Sequence, residues 1–504
     1  MRQLKIYYTS DVHGYLFPTD YISDDTKPMG LLQAIQDYDK DGNTLVIDGG
    51  DIFQGSPFIN YYQNRHDADN GIAAVMNAGG YDYITLGNHD FNYGFDFLTG
   101  NLSHLTAQVT AVNVLDKKTG EQLFPAQIKT LENGIKVGLI GAVTDYVNVW
   151  EKPEHIATID IVPVFPAMQA EIDKLRGQVD VLIGIYHGGF ERNLETGELL
   201  SETGENVGYQ LLEMLDFDLL LTGHQHATIE GRYVHGTYTL QPPNMAQKYF
   251  EIKIDLADSG DVTITSEMRT PKLLNEPELL AKIQPLQNEI MAYLDAPIVT
   301  LENPVAPQSH LDLAQTSNAI LALTAHVQKN ATGADISIVS MNNNTLELPK
   351  NVKVRDVMRN YPFDNTLFVM RLTGVQLKHV IEKTAEYFAL ENDQMVINEN
   401  WLVPKKEHYN YDFYYGLDYE IKVSNPVGER LVSLNYQGQA VTDDQTFTVA
   451  LNNYRAVGGG EYNDYKIAEV VKDTGLTIQD LLIDYLQENP SLEFDEELHV
   501  KISK

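Results

Sequence analysis

TSDVHGYLFP, residues 9–18, follows directly on the stretch Leu4-Lys5-Ile6-Tyr7-Tyr8. That stretch is rich in strand-forming residues and bounded by polar ones, so it reads as a first strand. Asp11 and His13 alternate with Val12, and extended backbone would send both side chains the same way. A carboxylate and an imidazole converging at a strand end can ligate a metal. One pair does not complete a site, so the remaining ligands must come from further along the chain.

The arrangement recurs. TLVIDGGD (44–51), YDYITLGNHD (81–90), IKVGLIGAVT (135–144), VDVLIGIYHGG (179–189) and FDLLLTGHQH (217–226) each read as a strand. Helical patterns lie between several of them, at 29–39 and 164–175, which predicts α/β layers with the chemistry on loops at strand ends. Strong strand character over 231–264 is expected to add antiparallel strands. Collected in order, the motifs are DVHG (Asp11, His13), GGD (Asp51), GNHD (Asn88, His89, Asp90), YHGG (His187) and GHQH (His224, His226). All five close strands of one domain, and strand ends of an α/β sheet gather at one edge. Seven N or O ligands would meet there. The other histidines, His66, His104, His155, His235, His310, His326, His379, His408 and His499, read as structural.

At 504 residues the chain is long enough for two or three domains. Its 36 Lys and Arg stand against 71 Asp and Glu, a formal charge of −35 that repels polyanions and excludes nucleic-acid polymers as partners. A small anionic substrate would need local positive charge, which bound divalent metals supply. There is no cysteine, so disulfides and thiolate chemistry are excluded and any metal site is built from N and O ligands. No run approaches eighteen apolar residues, so no membrane span is expected. Met1-Arg2-Gln3-Leu4-Lys5 carries no apolar signal region. The expectation is a cytoplasmic protein, with an exported or cell-surface location as the alternative if a leader has been removed.

The motif order resembles the calcineurin-like metallophosphoesterase superfamily. The resemblance implies a four-layer αββα domain with a dinuclear site. By motif it implies Asp11, His13 and His226 on one metal, Asn88, His187 and His224 on the other, and Asp51 bridging the two. Two divalent cations about 3.5–4 Å apart clamp phosphoryl oxygens and lower the pKa of a bound water toward neutrality. Only a carboxylate can span both ions with two oxygens. Mixed N and O ligands suit Mn, Zn, Fe and Co alike. The resemblance further implies that His89 stabilises the transferring phosphoryl group or protonates the leaving oxygen. Its loop reads GNHDFNYG, with Asn92 where many relatives carry Asp, so the orienting partner is either Asp90 or Asn92.

The second half reads differently. Residues 275–294 form a helical pattern with Pro285 inside it, which predicts a kink or break. This gives a catalytic domain at 1–274, a linker helix at 275–298 and a C-terminal α+β domain at 299–504. YPFDNTLFVMRLTG (361–374), YNYDFYYGLDYEI (409–421) and NNYRAVGGGEY (452–462) look like the C-terminal domain of the 5′-nucleotidase family. Their wording is most similar to the 2′,3′-cyclic-nucleotide 2′-phosphodiesterase/3′-nucleotidase branch. SMNNNTLEL (340–348) lacks the Gly-Gly and Arg of the strict 5′-nucleotidase branch. A nucleobase offers two flat faces, and aromatic rings can stack on both. By resemblance Tyr454 takes one face and Tyr411 the other, with Tyr409 its rival. Asn365 would hydrogen-bond the base, and Gly458, Gly459 and Gly460 would let the backbone reach the nucleoside. Arg355 and Arg359 read as a solvated face, and the role of Arg455 is left open. The expected activity is metal-dependent hydrolysis of a nucleotide phosphoester, cyclic or monophosphate, and the expected partner is a small-molecule nucleotide. The alternatives are a 5′-nucleotidase/UDP-sugar hydrolase and, remotely, a binding protein on a phosphoesterase scaffold. Oligomeric state is left open.

Overall fold

Leu4, Ile6 and Tyr8 of the first strand, β1 (Arg2–Thr9), enter one buried cluster, while Tyr7 turns to the opposite face and stacks on Tyr38 at 4.5 Å. This period of two is what a strand covered on both faces requires. The computed structural model describes residues 2–21, 25–63, 71–201, 204–273, 277–344, 346–361, 365–403, 405–489 and 498–504, with side chains left aside for 277–280. His66 and the PFD of YPFDNTL lie outside the described residues. The chain divides into two compact units, Met1–Ile290 and Met291–Lys504.

In the first unit, β1 pairs in parallel with β2 (Thr44–Asp48), which pairs with β3 (Tyr83–Ile84), which pairs with β4 (Gln108–Val109). A second sheet runs from β5 (Gln127–Thr130), antiparallel to β6 (Lys136–Val143), through the parallel strands β7 (Val181–His187) and β8 (Leu219–Thr222). Its far edge is β9 (Ile229–Val234) and β10 (Thr237–Gln241). The first sheet ends in β11 (Tyr249–Leu256) and β12 (Val262–Arg269), both antiparallel to their neighbours. The strand-rich segment thus supplies antiparallel strands to both sheets, except that β10 lies parallel to β8.

The two sheets face each other across one apolar layer. Ile6, Ile47 and Ile252 of the first meet Leu139, Ile183, Ile185 and Leu221 of the second. Each such side chain contributes about 1.5–3 kcal/mol by burial. The other face of the second sheet, with Leu182 and Tyr186, packs on helices Val164–Leu175 and Gly208–Met214. Helices Leu31–Ile35 and Ile72–Ala78 fill the crossovers of the first sheet, completing an αββα order. The pattern at 29–39 yields only Leu31–Ile35: Gly30, with φ 90°, turns the chain before the helix starts, and the helix ends at Gln36. Among the described residues no helix is long and apolar enough to cross a membrane.

Helix Pro277–Leu294 continues through Pro285 without breaking, and the division between the units falls inside it. The second unit is built on a five-stranded sheet of order β15-β13-β16-β14-β17. These strands are β13 (Ile336–Ser340), β14 (Thr366–Thr373), β15 (Asp412–Tyr415), β16 (Thr446–Asn452) and β17 (Glu469–Thr477). Helix Ala319–Thr332 starts where the Asn318 side chain accepts from the N–H groups of Ile320 and Leu321, and stops at Gly333, φ 69°. The unit is α+β: three of the four pairings in this sheet are antiparallel, and only β13 and β16 run parallel.

Candidate metal centre

The five motifs end up at the C-terminal ends of β1, β2, β3, β7 and β8. His187 is the last residue of β7 and shares parity with Val181, Ile183 and Ile185, so it points inward toward the first sheet. The others sit on loops. Asp11 and His13 do not project by strand alternation: β1 ends at Thr9, and their φ angles are 56° and 51°. Asp51, His224 and His226 have φ of 58°, 71° and 54°. Left-handed backbone costs a non-glycine residue on the order of 1–3 kcal/mol, and such strain concentrates where side chains must be aimed for function. Two glycines are forced by close approach. A Cβ on Gly87 would lie 2.1 Å from Asp51 Oδ1, and one on Gly223 would lie 2.2 Å from Ser10 Oγ.

The side chains form two groups, Asp11 with His13 and His226, and Asp51 with His187 and His224, each with its ligand atoms within 4.8 Å of one another. Asn88 joins the second group, its Oδ1 being 2.8 Å from Nδ1 of His224. Asp51 Oδ2 lies 3.2 Å from Nε2 of His187 and 3.8 Å from Nε2 of His13, between the two groups. Its other oxygen accepts the backbone N–H of His89 at 2.8 Å.

This donor set fits a pair of divalent cations. Nδ1 of His13 meets the Gln54 carbonyl at 2.8 Å, and Nδ1 of His187 meets that of Gly49 at 2.6 Å. A carbonyl only accepts, so each Nδ1 donates and each Nε2 turns inward as a lone pair when the ring is neutral. Asp51 Oδ2 and His187 Nε2 are buried and, among the described residues, have no close partner but each other, 3.2 Å apart. Buried acceptors facing buried acceptors need a cation between them. Burial, with His226 and His89 nearby, lowers the His13 pKa to about 4 against the pull of Asp51. Burial also pulls on His187, but the Asp51 carboxylate outweighs it and lifts the pKa to about 10. In the metal-free protein a proton on His187 stands where a cation would compensate the carboxylates.

His89 Nδ1 lies 2.8 Å from Asn92 Oδ1. Asp90 is occupied elsewhere: its carboxylate accepts the backbone N–H groups of Asp51, Ile52, Phe53 and Gly87 at 2.7–3.0 Å. It therefore staples the GGD loop to the GNHD loop and does not orient His89. Sequence reasoning missed Glu205, whose Oε1 is 2.7 Å from Nε2 of His224, and Trp150, whose ring stacks on His224 at 5.6 Å. Neither lies in a strand-end motif.

Residues 4–228 match the calcineurin-like phosphoesterase family, and residues 297–467 match the 5′-nucleotidase C-terminal domain. A solved Staphylococcus aureus chain assigned as a 5′-nucleotidase, in complex with alpha-ketoglutarate, is 33% identical with a TM-score of 0.93, over 100% of both chains. The chain belongs to the calcineurin-like phosphoesterases with a 5′-nucleotidase C-terminal domain. It is 28% identical to the trifunctional nucleotide phosphoesterase protein YfkN of Bacillus subtilis over 97% of its own length, and spans 38% of that longer protein. It is 26% identical to the Haemophilus influenzae 2′,3′-cyclic-nucleotide 2′-phosphodiesterase/3′-nucleotidase, covering 90% of this chain and 80% of the relative.

In the 5′-nucleotidase-type unit the structure separates the three tyrosines. Tyr411 is fully buried and donates its hydroxyl to the Ala314 carbonyl at 2.8 Å, so it offers no face to a base. Tyr409 and Tyr454 are partly exposed, with ring centroids 6.2 Å apart and planes at 67°. Asn365 accepts the Ile478 backbone N–H through its carbonyl at 3.0 Å. A Cβ on Gly459 would lie 2.5 Å from the Tyr454 ring and one on Gly460 2.4 Å from Asn410 Oδ1, so these glycines serve close packing and not reach. Arg455 is fully buried in a pair with Asp412 at 2.8 Å and bonds the carbonyls of Tyr409 and Gly459. It ties together the two loops that carry Tyr409 and Tyr454. Arg355 is not on a solvated face: it is buried and paired with Asp295 at 2.9 Å, while Arg359 pairs with Glu347.

Proposed function

We propose that the chain hydrolyses nucleotide phosphoesters, 2′,3′-cyclic nucleotides and nucleoside monophosphates among them, at the centre built around Asp51. The observation that carries the reading is the placement of Asp51 Oδ2, buried between the two ligand groups, 3.2 Å from Nε2 of His187 and 3.8 Å from Nε2 of His13. When bound, two divalent ions supply charge to the phosphoryl oxygens and a water nucleophile at neutral pH. The protein contributes the rest. Asp51, Asp11 and the histidines hold the charge in a buried pocket, and His89 presents Nε2 to the substrate because Nδ1 is engaged by Asn92. Tyr409 and Tyr454 are proposed to hold the base, an interaction of about 1–3 kcal/mol that tolerates different bases. The similarity to the Haemophilus influenzae relative and the SMNNNTLEL stretch support the cyclic-nucleotide branch.

A second reading, a 5′-nucleotidase, is favoured by the end-to-end likeness to the Staphylococcus aureus chain. Chromatographic product analysis of 2′,3′-cAMP, 3′-AMP, 5′-AMP, ADP and UDP-glucose, each incubated with Mn²⁺, Zn²⁺, Fe²⁺ or Co²⁺, separates the two. Turnover of the cyclic and 3′ substrates is expected. Turnover of 5′-AMP alone would select the second reading, and turnover of none would refute both.

A further inference from the structure

We infer that Glu151 is a positioning residue for His89, acting through the side-chain amide of Asn92 to set which ring nitrogen carries the proton. The inference rests on the phosphoester-hydrolase reading above.

An asparagine amide has an accepting end and a donating end, and a half-turn exchanges them. If Asn92 offered its NH₂ to His89, Nδ1 would have to accept, and the neutral ring would carry its proton on Nε2. If it offers its oxygen, Nδ1 must hold the proton and Nε2 is the nitrogen left for the substrate. Asn92 alone has no preference. Its Nδ2 lies 2.7 Å from Glu151 Oε2. A carboxylate only accepts, so it selects the NH₂ end and turns Oδ1 to Nδ1 of His89, 2.8 Å away.

Glu151 is itself held. Its side chain is 6% exposed, and Oε1 takes Nδ1 of His155 at 2.7 Å and the backbone N–H of Lys152 at 2.8 Å. The His155 carbonyl accepts from Phe95 N–H at 3.1 Å, which ties this segment to the chain just beyond Asn92. The preceding residue, Trp150, is the one stacked on His224. One short segment therefore braces both a candidate ligand and the His89 partner.

The arrangement implies that the Asn92–Glu151 contact holds one amide and one carboxylate, in either order. Four variants test this: Glu151→Leu, Glu151→Gln, Asn92→Asp and the double Asn92→Asp/Glu151→Gln. Removing a group that orients an acid–base residue should lower kcat about ten- to a hundredfold in Glu151→Leu, with KM within about twofold. Glu151→Gln keeps an accepting oxygen and should lose only a fraction of that. Asn92→Asp places two carboxylates 2.7 Å apart and should be impaired. Adding Glu151→Gln restores the pairing and should raise kcat at least about tenfold over Asn92→Asp alone. The second readout is independent of turnover. In Zn²⁺-loaded protein with ¹⁵N-histidine, His89 should show the Nδ1–H tautomer in the wild type and a mixture in Glu151→Leu. An unchanged tautomer in Glu151→Leu, or a double variant no better than Asn92→Asp, would overturn the inference. A tautomer change in a protein that hydrolyses none of the nucleotides would support the positioning role and refute the proposed function instead.

Discussion

Glu205 Oε1 lies 2.7 Å from Nε2 of His224, and the contact settles which nitrogen of that ring faces Asn88. With Nε2 engaged by the carboxylate, Nδ1 is the atom left for a metal. Glu205→Ala should weaken metal binding about 10- to 100-fold while leaving the fold intact. Competition with a chromogenic chelator reads this directly. Wild-type affinity in the variant would show that the contact does not orient the ring.

Asp90 carries structure where sequence reasoning allowed catalysis. Asp90→Ala would strand four backbone N–H groups of the GGD and GNHD loops. A loss on the order of 3 kcal/mol or more is expected. Thermal unfolding of the metal-free chain measures it, and a change under about 1 kcal/mol would contradict the staple.

Much of the first unit was legible because its signals are periodic. VDVLIGIYHGG alternates inner and outer apolar residues along β7, which places His187 on the inner side without any structure. For Asp11 and His13, strand alternation predicts the right pair for the wrong reason. They converge through left-handed turns, which no alternation rule encodes. Glu205 and Glu151 lie in polar stretches with no pattern, and only the fold brings them to His224 and Asn92. YNYDFYYG was ambiguous because tyrosine suits a core as well as a binding face. Tyr409 lies in the turn His408–Asn410, before β15, and Tyr411 beyond it is already inside.

That distinction is testable. Tyr454→Ala should raise KM for nucleotides about tenfold or more, by loss of about 1–3 kcal/mol of stacking, and leave p-nitrophenyl phosphate unaffected. Tyr411→Phe should leave both KM values alone and cost about 1 kcal/mol of stability through its lost bond to Ala314. A nucleotide-specific KM change in Tyr411→Phe would reverse the assignment.

His310 and His408 stack with ring centroids 3.7 Å apart and planes at 10°. Burial, with His310 and Lys406 beside it, lowers the His408 pKa to about 4. The folded state therefore binds fewer protons than the unfolded one between about pH 6.5 and 4, and stability falls as pH drops through that window. The melting temperature should decline from pH 7 to pH 5, and His408→Phe should flatten the decline. An equally steep decline in the variant would place the titrating group elsewhere.

The metal centre depends most on Asp51 standing between two cations. Anomalous diffraction from crystals soaked in Mn²⁺ tests it most directly. Two peaks are predicted, one among Asp11, His13 and His226, the other among Asn88, His187 and His224, both against the Asp51 carboxylate. No peak, or a single peak away from Asp51, would contradict it.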